Sequence, residues 1–151
     1  MNTNTNATKI QNWRNENPGE KLTAVTLRNI LGVADLRGAD LSDTNLSGAD
    51  LRHADLTSAG LREADLTGAD LRHADMYRAD LRHAGLREAD LRHSNLCGAI
   101  LCDAVMRKAN LSRADMRDAT LYFADLSGAD MSGADLRGVT MSGTNLSDVK
   151  C

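Results

Sequence analysis

Aromatic residues are nearly absent from this chain: its 151 residues include one Trp, two Tyr and one Phe. A conventional core of this size uses more large aromatic side chains, so this core must be built mainly from Ala and Leu. The single proline adds little rigidity, and no stretch approaches the roughly 20 apolar residues of a membrane span. Residues 1–6 are polar and lack the basic-then-apolar order of a secretory signal. We therefore expect one cytoplasmic domain without a membrane segment.

Cysteine and net charge are also limited. The three cysteines, Cys97, Cys102 and Cys151, are odd in number and follow no framework spacing, which favours free thiols in a reducing compartment. The formal net charge of −3 is too mild to indicate a nucleic-acid partner or a strongly acidic mimic of one.

A period of five residues dominates the sequence. Every fifth residue from Leu31 to Leu146 is Leu or Met, and we call this the central residue. Two residues before it, 19 of the 24 positions from Ala34 to Val149 are Ala. The residue directly before the centre, here the bridge residue, is usually Asp or Asn. The two that follow, the first and second turn residues, are mostly polar or Gly.

Neither regular element can bury this pattern. Five residues of an α-helix advance about 500°, so the central residues would wander around its surface. In a strand, successive central residues would fall on opposite faces because five is odd. A chain that turns a corner once per pentad can instead point one Leu and one Ala inward on every side. We therefore expect every central residue to be fully enclosed.

Two further observations support a coil with corners. Eight of the 12 glycines are second turn residues, where a corner that needs positive φ would favour Gly. The string Asp-Leu-Arg-His-Ala-Asp occurs at 50–55 and again at 70–75, and Asp-Leu-Arg-His-Ser-Asn follows at 90–95. A spacing of 20 residues suggests four pentads per coil.

Pentads such as Ala39-Asp40-Leu41-Ser42-Asp43 and Ala64-Asp65-Leu66-Thr67-Gly68 resemble the pentapeptide-repeat family. The resemblance runs unbroken over 34–151 and implies an all-β fold, a right-handed quadrilateral parallel β-helix of about six coils. With strands stacked about 4.8 Å apart, the rod would be roughly 28 Å long. We expect the β-helix to occupy 21–151, with residues 1–20 forming a tail or cap.

The two ends are expected to differ. Ile10 and Trp13 would share one side of a short helix over 8–16, with Trp13 capping the first coil, although a frayed polar tail is the alternative. Leu22 and Leu27 are one residue out of frame, which predicts a bulge or slip. At the other end the repeat continues to Cys151, so a homodimer through the C-terminal coil would cover its open edge.

Two surface features are candidate binding sites. The first, the basic strip, could attract an anionic partner or respond to pH, but salt bridges with the neighbouring Asp residues are the simpler explanation. Stacked histidines also suggest metal binding, yet no Cys or carboxylate completes a known ligand spacing, so we predict no metal site. The residues of the basic strip are Arg52, His53, Arg72, His73, Arg92 and His93.

The second feature, the apolar patch, interrupts the polar surface where Ile and Val replace the usual acidic bridge residue. Such patches on a polar surface often mark interaction sites, with neutral drift as the alternative. The residues of the apolar patch are Cys97, Ile100, Cys102, Val105, Tyr122 and Phe123.

No catalytic set stands out from the repeats, and no insertion could form a pocket. We therefore expect no enzyme activity, no cofactor and no small-molecule substrate. The leading hypothesis is a protein-interaction module with an unidentified protein partner. The alternatives are a DNA-mimicking inhibitor or protector of DNA gyrase or topoisomerase, as the resemblance implies for some family members, and a purely structural spacer. The many outward Arg residues argue against the DNA mimic, which needs a net negative surface.

Overall fold

The computed structural model describes residues 12, 15–17 and 35–151. Asn12, Asn15 and Glu16 are helical and Asn17 is in a bend, within the segment where a short helix was expected. Trp13, Leu22 and Leu27 lie outside the described residues, so the cap and the slip in the first coil stay predictions. Among the described residues, no helix has the length and apolar character needed to cross a bilayer.

From residue 35 onward, each pentad forms one side of a coil and ends in a tight turn. In the first of these turns, the N–H of Ala39 donates to the carbonyl of Leu36 at 3.0 Å. The second turn residue, Gly38, has a φ of 61°. A positive φ at this place is typical of a type II turn, and every second turn residue from 38 to 148 has one. The expectation of positive φ at the corners is therefore correct.

Hydrogen bonds between coils repeat at intervals of one turn of the solenoid. The N–H of Leu36 donates to the carbonyl of Asp55 at 2.7 Å, and that of Gly38 donates to Thr57 at 2.9 Å. In the opposite direction, from the next coil to this one, the N–H of Gly60 donates to the carbonyl of Ala39 at 2.9 Å. These bonds satisfy backbone groups that would be costly to bury without partners.

Parallel bridges join each bridge residue to the one 20 positions later, from Asp35↔Asp55 to Asp130↔Lys150. The four pentads per coil suggested by the sequence are thus present. Each side pairs through a single residue rather than a longer strand. We number the sides by their first described bridge residue: side 1 from Asp35, side 2 from Asp40, side 3 from Asn45 and side 4 from Asp50.

The core contains the central residues and the Ala residues, with Leu41 through Leu126 almost all fully enclosed. Where Thr44 and Ser94 replace Ala, each hydroxyl donates to a turn carbonyl, at 2.6 and 2.7 Å. This bond removes the penalty for burying a hydroxyl.

The expectation that every central residue is fully enclosed is wrong near the C-terminus, because no coil in the structure covers the last one. Leu136 and Met141 are partly buried and Leu146 is 45% exposed.

Candidate functional site

The apolar patch spreads over three sides of the rod. Side 2 carries Ile100, Cys102, Tyr122 and Phe123 in two consecutive coils. The flanking sides carry Cys97, on side 1, and Val105, on side 3. The 20-residue register therefore stacks Tyr122 on Cys102, while Cys97 lies around the corner from the aromatic pair.

Four members of the patch are strongly exposed for apolar side chains. The exposed fractions are 36% for Ile100, 40% for Val105, 40% for Tyr122 and 67% for Phe123. Among the described residues, the one other large apolar side chain in this class is Leu146, in the last coil. The three cysteines are free thiols, with Cys97 and Cys102 partly buried.

Side 2 also loses charge along the rod. Its bridge column runs from Asp80 through Ile100 and Thr120 to Thr140. After Asp80 this column holds no carboxylate, and the pentad of Tyr122 and Phe123 has no acidic residue, whereas that of Cys102 retains Asp103. The aromatic pair thus lacks the acidic bridge residue that pairs with Arg on side 4, while the contacts Arg107–Asp125 and His83–Asp103 lie at the edges of the patch.

The basic strip, on side 4, is a ladder of ion pairs. The guanidinium of Arg72 donates to both carboxylate oxygens of Asp70, with N–O distances of 2.8 and 2.6 Å. It also lies 3.7 Å from Asp90 in the next coil. Arg92 and Arg52 repeat the same two-point contact with Asp90 and Asp50. The salt-bridge explanation of this strip therefore agrees with the geometry.

These contacts hold the carboxylates in the ionised form. A side-chain hydrogen bond from Arg92 lowers the pKa of Asp90, and one from Arg72 does the same for Asp70. The backbone N–H of each Arg donates a further hydrogen bond to the same Asp. Because the Arg charges are matched by adjacent carboxylates, the strip is not a uniformly cationic surface.

The histidines of the strip lie side by side. The ring centroids of His53 and His73 are 5.0 Å apart with an angle of 4° between the ring planes. His73 and His93 are likewise 5.0 Å apart, at 6°. Within the described part of the chain, no group of three or more His, Cys, Asp or Glu side chains is arranged to hold a metal ion.

The last coil presents a second apolar surface. A depression of about 190 Å³ is lined by Met131, Leu136, Met141, Leu146, Val149 and Cys151. Sequence reasoning anticipated an open edge but did not single out Leu146, because its pentad has the same pattern as the buried ones. Leu146 is exposed because it lies in the last coil of the structure.

Comparison with known proteins agrees with this architecture. The family description "Pentapeptide repeats" matches in eight copies, over residues 34–72, 52–87, 61–96, 84–121 and 114–150. No curated protein sequence matches the chain.

Several solved structures are similar. Rfr23, a pentapeptide repeat protein from the cyanobacterium Cyanothece 51142, is 32% identical over 60% of this chain and 63% of its own, with a TM-score of 0.59. A pentapeptide repeat protein of the Arabidopsis thaliana thylakoid lumen is 33% identical over 78% and 67% of the two chains, with a TM-score of 0.45. One from Nostoc PCC 7120 is 30% identical over 81% of this chain and 98% of its own, with a TM-score of 0.44.

This chain thus spans less than two thirds of the length of Rfr23. The repeat match covers most of the sequence, and the 20-residue register of parallel bridges accounts for it structurally. The chain belongs to the pentapeptide repeat family and has its right-handed quadrilateral β-helix fold.

Proposed function

We propose that this protein is a non-catalytic interaction module that binds a partner protein through the apolar patch. The observation that carries the proposal is the exposure of Ile100, Val105, Tyr122 and Phe123 on the lateral surface of the rod, which is mostly polar elsewhere. Exposed apolar clusters of this kind mark protein-binding surfaces, and aromatic residues are enriched at their centres. The rigid coil backbone would present these side chains with little loss of entropy on binding.

The alternative of a DNA-mimicking gyrase or topoisomerase inhibitor has less support. A mimic of duplex DNA needs a continuous negative surface. Here most carboxylates in the bridge columns of sides 1 and 4 are paired with Arg, as in Arg117–Asp115 and Arg137–Asp135. A role as a spacer alone would leave the apolar patch without a purpose. We also keep the cytoplasm as the proposed compartment, on the strength of the three free thiols.

Site-specific photo-crosslinking tests the proposal. A photoreactive residue at 123 should form an adduct of one defined mass in cells, and the same residue at 113 should not. Phe123 and Arg113 are matched positions, since both are exposed second turn residues with φ near 60°. Equal adducts at both positions, or none at 123, would contradict a partner at the patch.

Light scattering of the purified chain separates a foreign partner from a second copy. The homodimer through the C-terminal coil stays a prediction, and it should survive the double substitution Tyr122→Ser/Phe123→Ser. If that variant instead turns a dimer into a monomer, the patch itself is the self-association surface. Arg72→Ser/His73→Ser is the control, because these two residues are first and second turn residues on side 4, which carries no patch residue.

A further inference from the structure

The histidine column, which comprises His53, His73 and His93, is held in register by the backbone. The N–H of His53 donates to the carbonyl of Arg72, and that of His73 donates to Arg92, both at 3.1 Å. Each histidine is a second turn residue on the same side, and all three are exposed. Their rings consequently stand 5.0 Å apart in two successive pairs.

Among the described residues, the ring nitrogens of this column have no hydrogen-bond or ion-pair partner. Within residues 35–151, no ion pair or side-chain hydrogen bond engages the three rings, whereas His83 on side 2 lies 4.0 Å from Asp103. The Arg residues beside them are already held by Asp50, Asp70 and Asp90. The imidazoles are therefore free to serve as ligands.

The backbone alone does not account for the column. Histidine is among the residues that accept a positive φ more readily than most, which explains a single histidine at a corner. Other corners with the same φ hold Asp, Glu, Ser, Arg, Lys or Phe. Three histidines in consecutive coils of one side place identical donor atoms in a line.

Contrary to the sequence-based prediction of no metal site, we propose that this column chelates a divalent transition-metal ion, with two neighbouring imidazoles bound to one ion. Imidazole is a preferred ligand of Zn²⁺, Ni²⁺ and Cu²⁺. Metal–nitrogen bonds of about 2.1 Å require the two nitrogens to approach to about 3 Å. Rings 5.0 Å apart on exposed side chains reach this separation by tilting toward each other. Water completes the coordination, so the site is exchangeable and not a structural centre.

The geometry makes a distinctive prediction about the three positions. His73 belongs to both pairs, so one ion excludes a second and the chain binds one ion at the column. Replacing His73 leaves His53 and His93 two coils apart, too far to share an ion. Replacing either outer histidine leaves one pair intact.

Isothermal titration with Ni²⁺ tests this pattern on the full chain and on four Asn variants. Asn accepts positive φ and binds metals poorly, which makes it a matched replacement. We expect His73→Asn to weaken binding at least about tenfold, because the chelate is lost, and His53→Asn or His93→Asn to weaken it only about twofold. His83→Asn, on another side, should bind like the unchanged chain.

Three results would overturn the proposal. These are no saturable Ni²⁺ binding by the unchanged chain, equal binding by His73→Asn, and equal losses in the three column variants. The thermal midpoint of each variant without metal verifies that it is folded. All variants share the same three cysteines, so thiol binding cannot produce a difference among them.

Discussion

The ring of Phe123 lies over Gly143, its counterpart one coil later, in space that a side chain at 143 would fill. A Cβ on Gly143 would stand 2.6 Å from Cε1 of the ring, closer than such atoms pack. Gly143 also has a φ of 73°. The most exposed residue of the apolar patch thus depends on a glycine for its position.

We expect Gly143→Ala to destabilise the protein more than Gly133→Ala. Both glycines are second turn residues of the last coil, with φ of 73° and 70°, so both substitutions incur about 1–2 kcal/mol of left-handed strain. At Gly133 the nearest atom is Cγ of Arg113 at 3.6 Å, an ordinary contact. Only Gly143→Ala must also displace a ring, for an extra cost of about 0.5 kcal/mol or more.

Urea denaturation of the two variants measures this difference in the free energy of unfolding. Repeating the pair in a Phe123→Ser background supplies the control, because the ring is then absent. The extra cost should vanish there, and its persistence would show that it has another origin.

The core should respond according to position in the stack. Leu81 is fully enclosed, so Leu81→Ala should lower the free energy of unfolding by about 2–5 kcal/mol. Leu146 belongs to an identical pattern but is 45% exposed, and its change to Ala should cost less than about 1 kcal/mol. Arg72→Ser removes only surface ion pairs, with Asp70 and Asp90, and such pairs are each worth about 0.2–1 kcal/mol. Chemical denaturation of all three variants checks the order, and similar losses at Leu81 and Arg72 would contradict the inside–outside assignment.

Much of this fold could be predicted because the repeat leaves few alternatives. A period of five fits neither helix nor strand, and the strings at 50–55 and 70–75 already pointed to four pentads per coil. With four pentads per coil, residues 20 positions apart lie in the same column, so the columns of Arg, Asp and His can be read from the residue numbers. The match of Tyr122 with Cys102 could be predicted for the same reason.

Two features of the structure could not be predicted from the repeat: how far the last coil is exposed, and which conformations individual side chains adopt. Leu146 has the pattern of a buried residue, and only the lack of a coil beyond it leaves it exposed. The position of the Phe123 ring over Gly143 depends on side-chain torsions that no periodicity encodes.

Replacing a glycine whose backbone conformation is accessible to other residues should stabilise the protein. Gly85 is a bridge residue outside the left-handed region, and an added Cβ would come no nearer than 3.7 Å to any atom beyond its chain neighbours. Gly85→Ala should therefore stabilise the protein by about 0.4–1 kcal/mol by restricting the unfolded chain.

Gly68→Ala is the contrasting variant in urea denaturation. Gly68 has open space around it but a φ of 64°, so the same change there should be destabilising. A loss of stability at Gly85 would show that its backbone has a strain not visible in the contacts.

Acid should destabilise the protein only below about pH 4, because the Asp residues paired with Arg have lower pKa values in the folded chain than in the unfolded chain. A side-chain hydrogen bond from Arg137 lowers the pKa of Asp135 to about 2. An unfolded Asp titrates near about 3.9. Because the folded pKa is the lower one, the stabilisation is complete above the unfolded pKa and is lost as the pH falls through the folded value.

The carboxyl ¹³C shift of Asp135, followed by NMR through an acid titration, measures this directly. We expect a midpoint near pH 2 in the unchanged chain and a higher one in Arg137→Gln. Asp130 is the internal control, since its pKa is lowered chiefly by hydrogen bonds from Ser132 and should not move in that variant. An Asp135 midpoint near the ordinary value in the unchanged chain would mean that the Arg–Asp contacts do not persist in solution.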